Sequence, residues 1–265
     1  MVLCCKRVVI GVVMLAVIGW FADSVLAVAG QKVGTIADLK GLVEILHPGV
    51  EAFRAAKPYE EVMEKDRIRT GPGAQVKILY DDDSLTILSE NSSFEIQEYQ
   101  LNDQGERSRS LLGLIKGKLR FIVTRYLVKR KANFYVQTPT AVVGVMGSDS
   151  VAVLDDTTST TTAYHLSGEL EVTNRMTDQI SFISSGEFIT IFPDGRQEQG
   201  KITTEQMEKI LGFFGGTFPP PEAVKDQIRR VEQELRQEDI ETILHAPERK
   251  AQELEKKEEP NGSGR

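Results

Sequence analysis

Between Gly30 and about Gly200 the chain alternates apolar and polar residues over short runs, each closed by Gly, Pro, Asp or Asn. Ala74-Gln75-Val76-Lys77-Ile78-Leu79-Tyr80 keeps a period of two and stops at Asp81-Asp82-Asp83-Ser84, after which Leu85-Thr86-Ile87-Leu88 resumes. A period of two puts successive side chains on opposite faces, which is the signature of a strand with one face buried. The same pattern predicts strands at 40–46, 93–97, 110–123, 133–137, 140–146, 149–154, 161–166, 168–173, 179–184 and 187–192. Turn residues recur at the spacing of about 8–12 that marks sandwiches and barrels. The expected fold class is therefore all-β: an antiparallel roll, barrel-like or sandwich domain over residues 30–200, followed by C-terminal α-helices.

After Gly200 the period changes. Thr203-Thr204-Glu205-Gln206 offers an N-cap and predicts a short helix ending at Gly212. Beyond Pro219-Pro220-Pro221, the residues Val224, Ile228, Val231 and Leu235 are spaced four, three and four, which is one face of a helix. That narrow stripe is the candidate partner-binding element of a helical extension over 201–247. Residues 248–265 are dominated by Glu, Lys and Arg and are expected to be a disordered tail.

The first 29 residues differ from all of these. Lys6 and Arg7 precede an apolar run from Val8 to Phe21, and Ala27-Val28-Ala29 follows. A basic start, an apolar core and an A-x-A end make an export signal, and the run is shorter than the roughly 20 apolar residues of a membrane span. The expected location is periplasmic or secreted; the alternative is an uncleaved inner-membrane anchor with the bulk of the chain facing the periplasm. Membrane contact is expected only through this segment, if it is retained. Both cysteines, Cys4 and Cys5, lie ahead of the apolar run, so the exported part has no disulfide. A net charge of −7 argues against general nucleic-acid binding.

The stretch with the most chemistry is TPTAVVGVMGSDSVAV, Thr138 to Val153. Thr138 is held extended by Pro139. Ala141, Val143 and Val145 share one strand face, and Gly144 predicts a bulge or a close backbone approach. Gly147-Ser148-Asp149 is a turn tripeptide, expected to join two paired strands. A phosphate loop would need a helix directly after the glycines, and a nucleophile elbow would need glycines two residues either side of Ser148; neither is present. Thr138, Pro139, Gly144, Gly147 and Asp149 are thus expected to be structural.

These residues resemble the signature of FecR-domain proteins, Thr-Pro-x-Ala-x-x-x-x-Arg-Gly-Thr-x-Phe-x-Val, through Thr138, Pro139, Ala141, Gly147 and Val151 to Val153. Asp66 to Gly73, the hairpin from Tyr80 to Leu88, Leu114 to Leu119, Leu166 to Val172 and Ser185 to Phe188 resemble further motifs of the family in the same order. Met146 and Ser148 stand where Arg and Thr are usual, Ser150 where Phe is usual, and Asp82-Asp83 where Asp-Gly is usual. The resemblance implies an exported β-rich module with a role in envelope signalling or assembly and a protein partner, and it supplies no ligand. The family's transmembrane regulators resemble a three-part design with a cytoplasmic segment that handles a sigma factor; here about seven residues precede the apolar run, so direct sigma-factor contact is not expected.

Lys116, Lys118, Arg120, Arg125, Lys129, Arg130 and Lys131 form a run of basic residues with no acid between them. The first three alternate with Gly117, Leu119 and Phe121 and are expected on the wet face of a strand, either as a solvated edge or as a patch for a polyanion or acidic partner. Asp81 to Asp83 lack the spacing of a calcium loop, and His47, His165 and His245 are scattered, so no metal, cofactor or catalytic set is expected. The resulting expectation is a non-enzymatic, exported binding or scaffolding module. Its alternatives are a membrane-anchored sensor that passes a signal onward and, more remotely, a hydrolase of envelope polymers.

Overall fold

The computed structural model describes residues 30–102, 107–123 and 132–215. The export segment, Arg125, Lys129, Arg130 and Lys131, the stripe of Val224, Ile228, Val231 and Leu235, and the charged tail lie outside these residues. Fifteen strands form one open sheet: β1 Lys32–Lys40, β2 Val43–Leu46, β3 Arg54–Ala55, β4 Glu61–Met63, β5 Arg67–Thr70, β6 Gln75–Tyr80, β7 Leu85–Leu88, β8 Ser93–Leu101, β9 Arg107–Ile122, β10 Phe134–Gln137, β11 Ala141–Asp155, β12 Thr160–Asn174, β13 Ile180–Ile183, β14 Glu187–Ile191 and β15 Gln197–Lys201. Among the described residues one helix, α1 Thr204–Gly212, follows. Pairing is antiparallel except between β9 and β10, which run parallel.

Three long strands hold this sheet together as two facing limbs. The second halves of β9 and β11 and the first half of β12 pair with β7 and β14, in a limb that continues through β6, β1 and β4 at one end and β15 at the other. Their other halves pair with β8, β10 and β13, in a limb that continues through β5, β2 and β3. Each long strand passes from limb to limb at a glycine with positive φ: Gly117 at 85°, Gly147 at 64° and Gly168 at 96°. That region of φ is open to glycine and disfavoured for residues with a Cβ. A Cβ on Gly168 would lie 2.3 Å from the Gly147 carbonyl oxygen, and one on Gly117 would lie 2.6 Å from the Ser92 Cβ.

The crossings also shift the phase of the side chains. In β9 the core takes Leu112 and Leu114 before the glycine, then Leu119 and Phe121 after it. In β11 it takes Ala141, Val143 and Val145, then Ala152 and Leu154; in β12, Ala163, then Leu170 and Val172. In β11 the register breaks at Met146/Asp149 and again at Asp149/Ser150. An extra residue at a bulge exchanges the faces of everything beyond it, which is why the core positions pass from odd to even in β11 and β12 and from even to odd in β9.

One core lies between the limbs, with Ile36, Val76 and Ile78 from the first against Ile45, Ile68, Phe94 and Ile96 from the second. A second cluster covers the outer face of the first limb: Leu79, Leu85, Ile87 and Val151 meet Ile210 of α1 and Phe214 just beyond it. The helix starts as its sequence predicts. Thr203 accepts from the Gln206 N–H and Gln206 reaches back to the Thr203 N–H, a reciprocal cap. Among the described residues no helix is long and apolar enough to cross a membrane.

Candidate functional site

The signature segment is one strand and not two. The expectation that Gly147-Ser148-Asp149 joins paired strands is overturned: β11 runs unbroken from Ala141 to Asp155, and both of its halves pair with β12. The hairpin turn of the segment lies earlier, at Thr138-Pro139-Thr140, between β10 and β11. There the Thr138 hydroxyl accepts from the Ala141 N–H at 2.9 Å and meets the Thr161 hydroxyl at 2.8 Å, while Thr140 donates to Thr161 at 2.7 Å. Arg175 donates to the Thr138 and Pro139 carbonyl oxygens, closing the turn from outside. Gly144 has the close approach expected of it, with a would-be Cβ 3.1 Å from that of Ala132.

Beyond the Gly147 crossing, Asp149 receives a bidentate pair from Arg120, Nε to Oδ1 at 3.0 Å and Nη2 to Oδ2 at 2.7 Å. Arg120 is buried, so it does not belong to a wet face. The outer face of β9 is roofed by the chain that follows α1: Lys118 is half-buried with its ammonium 4.4 Å from the centre of the Phe213 ring. Of the three described members of the expected basic patch, Lys116 alone is exposed. Lys118 and Arg120 share the outer face of the first limb, whereas Lys116 lies on the other side of the Gly117 crossing, and Phe213, just beyond α1, covers Lys118.

The same crossing assembles a polar chain that the scattered histidines concealed. Ser150 and His165 are register partners on β11 and β12. The His165 Nε2–H donates to the Gly168 carbonyl at 3.1 Å, leaving Nδ1 to accept from the Ser150 hydroxyl at 3.1 Å; Ser148 lies 3.2 Å from Ser150. All three are buried. Burial pushes His165 below its ordinary value, partly offset by the Gly168 carbonyl and the Asp149 charge. The group is a neutral, closed hydrogen-bond chain that ties the signature segment to the Gly168 bend.

Two further clusters show how the remaining charged motifs are used. The β6–β7 turn turns Asp82 inward, helped by Asp83 at φ 68° in the place where the family usually has glycine. Buried Asp82 accepts from the Tyr99 hydroxyl at 2.7 Å, from the Ser84 N–H at 3.0 Å and from Arg107, whose guanidinium also donates to Asn133 at 3.1 Å. Tyr80 stacks on Tyr99 with ring centres 4.7 Å apart. On the other limb, the His47 Nδ1–H donates to buried Asp66 at 2.7 Å, and its Nε2 accepts from Arg54 at 2.7 Å. Burial raises Asp66 above the usual carboxylate range, against the Met63 N–H and His47. Among the described residues no three His, Cys, Asp or Glu side chains gather as metal ligands.

One open feature among the described residues is a groove of about 410 Å³ on the outer face of the second limb. Its floor is a row across four adjacent strands: Tyr135 on β10 pairs with Gly144 on β11, Gly144 with Glu171 on β12, and Glu171 with Phe182 on β13. Met146 and Glu169 form the next pair along. Sequence reasoning singled out Gly144 but missed the groove, because its walls come from strands distant along the chain.

Residues 66–171 match the model of the family described as FecR protein. No curated protein matches the chain. Two crystal structures, at 1.65 and 2.50 Å, of a candidate anti-sigma factor from Parabacteroides distasonis are similar, each with 19% identity and a TM-score of 0.42. The alignment covers 51% of this chain and 59% of that one, so this chain spans a little over half the length of the solved relatives. With its signature strand crossing between limbs at Gly147, the chain is similar to FecR proteins over residues 66–171.

Proposed function

We propose that the protein is a non-enzymatic binding module of the cell envelope, exported by its N-terminal segment and engaged in signalling through a protein partner. The observation that supports this best is how the FecR signature is employed. Thr138, Thr140, Ser148, Asp149, Ser150 and His165 are all hydrogen-bonded within the protein, and all but Asp149 are buried. Side chains in that condition define a shape and present no reacting atom to a substrate. What the domain offers outward is surface, and the FecR family is a regulatory one.

Two measurements test the reading. The mass of the protein recovered from envelope fractions distinguishes a soluble module, lacking about the first 29 residues as the A-x-A site implies, from an anchored sensor that retains them. In-cell crosslinking of the full chain then reads out a partner. A protein found intact in the cytoplasm, with no crosslinked species in the envelope, would refute the proposal.

A further inference from the structure

We propose that the groove on the outer face of the second limb receives a basic side chain, Lys or Arg, carried by an extended segment of the partner polypeptide. The inference rests on the binding-module reading and gives it a place and a chemistry. The Tyr135–Gly144–Glu171–Phe182 row puts an aromatic ring at each end and a carboxylate between them. A Cβ at Gly144 would meet the Ala132 Cβ at 3.1 Å and the Tyr135 ring at 3.3 Å, so the glycine is what lets that ring lie flat along the groove.

Carboxylates and the faces of aromatic rings both attract a cation. Met146 and Ala132 supply apolar walls suited to the methylene stem of a long basic side chain. The effect of Glu171 is felt at Tyr135, whose hydroxyl is raised above its ordinary value by burial first and by this carboxylate second.

The rim argues for a polypeptide over a free polyamine. Strand β13 ends the second limb and, among the described strands, pairs only with β12. Phe182 is 75% exposed and Ile180 54%, two residues apart on one face. An edge strand with a free ladder and alternating apolar side chains can pair with an added strand, whose own alternating side chains would lie along the same face. A small amine would leave Ile180 and the backbone edge unused.

The test is titration calorimetry of the full-length chain with a capped five-residue peptide alternating valine and arginine, with the same peptide carrying glutamate, and with spermidine. The expected result is binding of the arginine peptide alone, weakened by added salt. Glu171→Gln is expected to weaken it about tenfold, the equivalent of one charge-assisted hydrogen bond. Phe182→Ser should weaken it as well, with an unchanged far-ultraviolet spectrum certifying the fold of both variants. Equal binding of the two peptides, or indifference to Glu171→Gln, would overturn the proposal. Spermidine binding as tightly as the peptide would overturn the polypeptide source. Binding that appears only after Lys129, Arg130 and Lys131 are replaced by alanine would assign the groove to the chain's own basic segment and overturn it too. Failure here with crosslinking to a partner intact would reject the groove and leave the module standing.

Discussion

Breaking the Asp82–Arg107 pair from either end should cost more than removing it whole, and the difference can be worked from the structure. Both side chains are buried, 2% and 1% exposed. Removing one partner of a buried ion pair typically costs about 3–5 kcal/mol, because the other charge stays behind. Asp82→Asn leaves the Arg107 guanidinium beside Asn133 and Ser84 without its carboxylate. Arg107→Met leaves a carboxylate that keeps the Tyr99 hydroxyl and both Ser84 donors but loses its counter-charge. The double variant Asp82→Asn/Arg107→Met leaves neither charge behind, so its loss should fall short of the two single losses added together by about 1–3 kcal/mol. Urea denaturation of wild type, both single variants and the double variant, followed by circular dichroism, measures this. Strictly additive losses would show that the two charges are not confined together as described, and the reasoning would fail.

Three further outcomes are expected. Gly168→Ala should cost about 3–5 kcal/mol by denaturant midpoint, combining left-handed strain with overpacking against the Gly147 carbonyl, whereas Gly73→Ala should cost only about 1 kcal/mol; the latter has φ 66° but no atom within 4 Å of its would-be Cβ. His165 makes stability depend on pH: below about 6.5 the unfolded chain binds a proton that the folded one resists, so its contribution is whole above that value and is lost as pH falls toward the lower folded value. Burial acts on Asp66 in the opposite sense, adding stability as pH falls through its raised folded value; His165→Gln should accordingly remove the loss between pH 7 and 5 and leave the more acidic gain, in denaturation series across that range. Thr203→Ala should release about 1 kcal/mol of capping, read as faster amide exchange over residues 206–212 with a smaller change in the global midpoint.

The sequence went furthest where information is local. Period-two alternation located the strands of the β6–β7 hairpin, and Thr203 with Gln206 located the start of α1, because a pleat and a cap depend on residues within a few positions. It stumbled at Gly147 and Gly168, cutting β11 and β12 in two. The alternation changes phase there, and a phase change looks the same along the chain whether the strand turns back or crosses into a facing sheet. The edge strands β3, β4 and β15 passed unnoticed, being short or largely exposed with no clear alternation of apolar residues.

The roles of side chains were decided at a longer range. Arg120 has the spacing of a solvated residue, and only the folded sheet, with Ile87 and Val151 as its strand partners, makes it a buried partner of Asp149. Ser150 and His165 become neighbours through strand register, and Asp82 meets Arg107 because the β6–β7 turn points inward. The groove shows the division most clearly. Gly144 announces by itself that something must come close, a fact of backbone sterics that any single sequence carries. That what comes close is the Tyr135 ring, in one row with a carboxylate and a second aromatic ring, depends on four strands meeting in one register, and hydrogen-bonded pairing between distant segments is a property of the folded sheet alone.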